Sequence, residues 1–194
     1  MGRPGAAAIA GLGLAFGGFG ASLNKAAPPR FTLQDTTGAI HSDAEWKGAN
    51  VVLFFVTTDC PISNGYVPEM NRIAKEYGSR GVRFYGVMTD TSVPPGDVRK
   101  HVTDFAYTFP VLIDPMQILV KYTNADTNPE TAVISPRTGL VYLGRIDNRV
   151  EGFGLARPQA TQHELKDAIN AALAGKPVLK PFAAPIGCSI VKVN

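Results

Sequence analysis

The sequence predicts an α/β domain, a central mixed β-sheet flanked by helices, with an N-terminal β-hairpin extension. Three observations predict it. Residues 51–56, Val-Val-Leu-Phe-Phe-Val, form an unbroken apolar run, as a strand buried on both faces requires. Strand-like runs at 82–88 and 109–113 alternate with stretches of helical periodicity, the pattern of strand-helix-strand units. Two further pairs of short runs are separated by glycine-containing turns and read as hairpins.

Taken in order, Ala26-Ala27-Pro28-Pro29 is a linker, and Phe31-Thr32-Leu33-Gln34-Asp35 alternates as a half-buried strand does. Thr36-Thr37-Gly38 turns it into Ala39-Ile40-His41, and Ser42 or Asp43 stands where it can cap a short turn ending at Trp46-Lys47-Gly48. After the central strand comes Pro61. It has no N–H to lose and its φ is already helical, so it fits the first helical position and makes Cys60 the N-cap. Tyr66, Met70, Ile73 and Tyr77 then recur at helical spacing up to a glycine stop at Gly78. A strand at 82–88 leads through Pro94-Pro95-Gly96 to a helix at 97–105, then a short strand at 109–113. Asp114-Pro115 opens a helix over 116–122, and strands at 131–135 and 140–146 pair across Pro136-Arg137-Thr138-Gly139. Thr161 and Glu164 have capping-box spacing for a last helix whose buried stripe is Leu165, Ala168, Ile169 and Leu173, stopped by Gly175.

At 194 residues the chain is long enough for one domain with a real core plus extensions. The net charge of +3 comes from dispersed Lys and Arg with no aromatic-basic stripe, so there is no nucleic-acid footprint. Arg3 is the only charge before Lys25, and residues 5–20 are rich in Ala, Gly, Leu, Ile and Phe before polar Ser22, Asn24 and Lys25. That is the layout of a signal peptide, with an uncleaved anchor or a plain extension as the rival readings. The expected division is residues 1–21 signal peptide, 22–30 linker, 31–174 the folded domain and 175–194 a proline-rich tail with Cys188. A periplasmic or otherwise extracytoplasmic location follows, and membrane contact only if the first segment stays uncleaved. An exported two-cysteine chain is free to form a disulfide.

The candidate reactive residue is Cys60. Free helix-end amides and the helix dipole favour an anion there, and the thiolate is the reactive form of cysteine. The neighbouring Asp59 opposes that anion unless its carboxylate turns away. The competing reading is a buried structural cysteine.

Cys60-Pro61-Ile62-Ser63, Pro68 eight residues after the cysteine, and Asn128-Pro129-Glu130-Thr131 before apolar Ala132-Val133-Ile134 resemble, in that order, the thioredoxin-like superfamily. The resemblance is to its redoxin group, which spans thiol-disulfide oxidoreductases and peroxiredoxins, and it covers roughly residues 31–173. It implies a thioredoxin-like fold, Cys60 as nucleophile in thiol-disulfide exchange, and Pro129 as a cis proline facing it. Asn128, Pro129 and Pro61 would then flank the substrate, held as an added strand. Ser63 replaces the family's second cysteine, so resolution of a mixed disulfide or sulfenic acid needs a thiol from elsewhere, and Cys188 is the candidate. Ser63 is a candidate hydrogen-bond donor to the thiolate or a plain first-turn helix residue.

A peroxidase is the alternative function, and a non-catalytic copper- or peptide-binding redoxin module is a further one. Thr57 matches the threonine of the peroxiredoxin Thr-x-x-Cys motif, but Leu53 stands where that family has a proline. Arg145 or Arg149 is a candidate anion-stabilising cation, against the reading of a solvated strand end. Copper-delivery members carry a second cysteine where this chain has Asn64, and His41, His101 and His163 fit no metal spacing, so no metal or other cofactor is expected. The expected partners are a protein or small-molecule disulfide, or a peroxide, and an external thiol reductant.

Overall fold

The computed structural model describes Leu23 and residues 27–193, so the expected signal segment lies outside the described residues. Strand β3 (Val51–Val56) is buried along its whole length and forms the centre. It runs parallel to β4 (Arg83–Met88), which runs parallel to β5 (Val111–Ile113), and antiparallel to β7 (Glu130–Ser135). Beyond β7 lies β8 (Gly139–Gly144), antiparallel, and beyond β5 the expected hairpin of β1 (Thr32–Asp35) and β2 (Ile40–Ser42). The hairpin therefore continues the sheet through antiparallel pairing of β1 with β5.

Because side chains alternate across a strand, β3 feeds two cores. Val52, Phe54 and Val56 join Tyr66, Met70, Ile73 and Tyr77 of α1 (Pro61–Gly78) and Leu165, Ala168 and Ile169 of α4 (Glu164–Leu173). Val51, Leu53 and Phe55 join Phe31, Leu33 and Trp46, with Leu119 and Val120 of α3 (Ile118–Thr123). Helix α2 (Pro95–Asp104) adds Val98 to the first core. Among the described residues no helix is long and apolar enough to cross a membrane.

Helix α1 runs from Pro61 to Gly78, the end that the sequence indicated. Other boundaries differ from the sequence reading. Helix α3 starts at Ile118, because both carboxylate oxygens of Asp114 accept backbone N–H groups, from Ile118 and Leu119 at 2.8 Å each. The expected capping box does not form. His163 is the N-cap of α4, the Thr161 hydroxyl accepts the Asn148 amide at 2.8 Å, and Glu164 is drawn into ion pairs with Arg145 and Lys180.

The tail is part of the fold. Strand β11 (Phe182–Ala183) runs parallel to β8 and closes that edge of the eight-stranded sheet. A Cβ on Gly144 of β8 would lie 2.2 Å from the Ala183 carbonyl oxygen, so glycine is what lets the tail approach. Five residues later β12 (Cys188–Ser189) pairs antiparallel with β6 (Thr127–Asn128), immediately before Pro129. A small β9 (Val150–Gly152) and β10 (Leu155–Ala156) hairpin completes the strands.

Candidate active site

Strand β3 delivers Thr57-Thr58-Asp59-Cys60 to the mouth of α1. Cys60 has the extended backbone of an N-cap residue (φ −88°, ψ 110°), Pro61 occupies the first turn, and the Cys60 carbonyl accepts the Asn64 N–H at 3.0 Å. Its side chain has no exposed surface. The thiol donates a hydrogen bond to the Asn128 carbonyl oxygen at 3.2 Å, and the Asn128-Pro129 bond is cis, so the proline lies beside the cysteine as the resemblance implied.

The second thiol stands here as well. Pairing of β12 with β6 sets Cys188 opposite Asn128, the residue whose carbonyl receives the Cys60 thiol, so the two cysteines are neighbours across that carbonyl. Burial first, then the Cys60 sulfur and the Asp59 carboxylate, push the Cys188 thiol up to about 11. Near neutral pH Cys188 therefore keeps its proton. Both cysteines are free thiols in this structure, Cys60 buried and Cys188 partly exposed.

Other expected residues take different roles. Of the two readings of Ser63, the first-turn helix residue fits: its buried hydroxyl has no hydrogen-bond partner and does not donate to the Cys60 sulfur. Thr57 donates its hydroxyl to Asp59 Oδ1 at 3.1 Å, fixing that carboxylate and leaving the sulfur alone. Arg145 is committed to Glu164 and to Gln162. Arg149 lies 4.6 Å over the Tyr66 ring and donates to the Gly65 carbonyl at 3.1 Å, while the Tyr66 hydroxyl donates to Asp147 at 2.6 Å. These contacts clip the loop after β8 onto α1. Arg149 thus steadies the helix that carries Cys60 and does not reach the thiol. His41 bridges Asp35 and Glu45 at 3.1 Å each, and His101 is buried against Phe105 and Tyr107.

Four residues matter that sequence reasoning did not single out. The Thr89 hydroxyl donates to the Asn128 side-chain oxygen at 3.0 Å and so fixes the residue before the cis proline. The fully buried Gln117 side chain donates to the Thr89 and Val191 carbonyls at 2.9 and 2.8 Å and accepts the Val193 N–H at 2.9 Å, which ties the tail to the site. Glu130, buried behind the cis proline, accepts the Asp126 N–H at 2.9 Å and also bonds the Thr127 backbone, and burial pushes its carboxyl up to about 7. Gly187 is the fourth. A Cβ there would lie 2.0 Å from the Asn128 carbonyl oxygen. Only Glu130 carried a signal, an acidic residue at the head of an apolar strand; Thr89 finds its partner 39 residues away, and Gln117 and Gly187 depend on where the tail runs.

The family model described as the AhpC/TSA family matches residues 23–143. A thiol-disulfide oxidoreductase ResA from Geobacillus kaustophilus is 30% identical over 106 residues, which cover 55% of this chain and 60% of that protein. The chain thus spans about 60% of the length of the curated relatives it matches first. A hypothetical protein from Sinorhizobium meliloti superposes with a TM-score of 0.74 at 24% identity, over 86% of this chain and 92% of the other. A putative thiol:disulfide interchange protein DsbE from Chlorobium tepidum gives 0.62 at 23%, over 78% and 99%. These likenesses establish the thioredoxin-like fold.

Proposed function

Since this chain belongs to the AhpC/TSA family, we propose that it is a thiol-disulfide oxidoreductase whose redox pair is Cys60 and Cys188. The observation that carries this reading is the meeting of the two thiols beside the cis Asn128-Pro129 bond, one at a helix mouth and one on the tail. The Cys60 thiolate attacks one sulfur of an incoming disulfide, and the other sulfur leaves as a thiolate. The Cys188 thiol then gives up its proton to solvent and attacks the Cys60 sulfur, forming the Cys60-Cys188 disulfide and breaking the Cys60-substrate bond, and the second substrate thiolate leaves and takes up a proton from solvent. Two electrons pass from the cysteine pair to the substrate, and an external thiol reductant restores the pair.

Thr57 and Arg145, which a peroxidase would need beside the sulfur, are bound instead to Asp59 and Glu164. Disulfide exchange is therefore the reading the geometry favours over peroxide reduction. We assign the reaction to an oxidising, extracytoplasmic compartment, on the signal-like composition of residues 5–20.

Incubation of the reduced protein with a model disulfide, followed by non-reducing peptide mapping, tests the reading. A Cys60-Cys188 crosslinked peptide from monomer, with release of two substrate thiols, is expected. Equal rates for the native protein and Cys60→Ser, with no crosslink, would overturn it.

A further inference from the structure

The edge of β6 beside the cis proline is already taken. Strand β12 fills it through the pairs Cys188 with Asn128 and Ser189 with Thr127, and the Ile190 N–H donates to the Asp126 carbonyl at 2.8 Å. With that segment seated, Cys60 has no exposed surface. An outside disulfide cannot touch the Cys60 sulfur in this arrangement.

How the tail fits describes what the groove accepts. At Gly187 the obstruction to a Cβ is the backbone of Asn128 and Pro129, at 2.0 Å from the Asn128 oxygen, 2.6 Å from its carbon and 3.1 Å from the Pro129 nitrogen. That backbone cannot give way easily, because the carbonyl receives the Cys60 thiol and the Asn128 side chain is held by Thr89. The position before the cysteine therefore admits glycine alone. Two positions after the cysteine, Ile190 is buried in the core formed by Phe31, Leu33, Trp46 and Leu119. Between them Ser189 is exposed and unrestricted. The clamp has two parts, a two-residue strand and the Gln117 amide that brackets Val191 and Val193. A pairing this short has marginal stability, so its occupant can exchange.

We propose that the groove beside Asn128-Pro129 binds an extended polypeptide with glycine immediately before its cysteine and an aliphatic residue two positions after it. The chain's own Gly187-Cys188-Ser189-Ile190 is the resident occupant, and an outside substrate of this kind must displace it. That such a peptide is a substrate rests on the exchange chemistry proposed above; the binding groove does not.

The test reads alkylation of Cys60 by iodoacetamide in the reduced full-length protein, by the mass of the Cys60 peptide, and needs no turnover. Gly187→Val should expel the segment and speed alkylation at least about tenfold, the change expected when a local protecting equilibrium is lost. Ile190→Ser, which keeps both thiols and the glycine, should give a smaller increase. A peptide copying residues 185–193 with serine for the cysteine should restore protection to the Gly187→Val protein, and the same peptide with valine for the glycine should not. Thermal melts of both variants confirm that the domain stays folded. Cys60 as protected in both variants as in the native protein, equal protection by the two peptides, or protection that fades on dilution because the segment comes from a second copy would each overturn the proposal. If the protection pattern holds while disulfide exchange fails, the catalytic reading falls and the groove stands.

Discussion

The carbonyl of Asn128 receives the thiol of Cys60 at 3.2 Å across 68 residues of sequence, and the same carbonyl blocks any side chain at Gly187. One oxygen thus positions the buried cysteine and fixes the path of the segment that brings the other. The cis Asn128-Pro129 bond presents it between the two.

Cys188→Ser should leave the first attack intact and remove the second. The variant is expected to accumulate a mixed disulfide at Cys60, stable on non-reducing gels and identified by mass, where the native protein passes through it. Cys60→Ser should give no adduct at that site while keeping its fold, since serine is a good N-cap residue.

Gln117→Ala removes hydrogen bonds to the Thr89 carbonyl and to both Val191 and Val193. A loss of about 1–3 kcal/mol is expected from the buried groups left unpaired. Amide hydrogen exchange at residues 188–190 should accelerate more than exchange in β3. Uniform acceleration would show that the glutamine supports the whole domain and not the tail.

Burial raises the Glu130 carboxyl to about 7, with Asp126 adding repulsion. Between the ordinary carboxylate value and about 7 the folded chain keeps a proton that the unfolded chain has lost, so this group makes stability fall as pH rises through that window. In Glu130→Gln that part of the pH dependence should vanish. Denaturant melts from about pH 4 to 8 would show the two curves diverging over the window.

His41 behaves in the opposite setting. Burial opposes its charge, but the Glu45 and Asp35 carboxylates outweigh burial and raise its pKa, while both carboxylates are held below their usual values. The histidine contribution is complete below its unfolded value of about 6.5 and is lost as pH rises through the higher folded value. The carboxylate contribution is lost as pH falls through their depressed values. The stability gap between the native protein and His41→Gln should therefore peak between these limits, at about pH 5–6, and narrow on both sides.

The central strand and the helix with cysteine at its mouth were legible in the sequence because each is a local pattern, whereas the cis proline was reached only through the family resemblance. A six-residue apolar run and a Cys-Pro pair before a 3.6-residue stripe need no distant partner to be recognised. For Arg145 and Thr57 the sequence left alternatives open, because nearness in sequence or motif says nothing about competition, and Glu164 and Asp59 claim them. The capping box failed for the same reason, since the ion pairs of Glu164 take the side chain that would have closed it. The tail could be read only as a thiol in search of a partner. Its path depends on two close backbone approaches, at Gly144 and Gly187, and neither glycine announces what passes over it.

Those two approaches also set a length. From Ala183, seated against Gly144, to Cys188 is five residues, so a released Cys188 stays within about 17 Å of that anchor while β11 holds. One thiol confined to a sphere of that radius has an effective concentration of tens of millimolar or about that order. A mixed disulfide on Cys60 would meet its internal partner at a concentration well above that of a free thiol present at about 1 mM. The short tether makes the chain its own first competitor for every intermediate it forms.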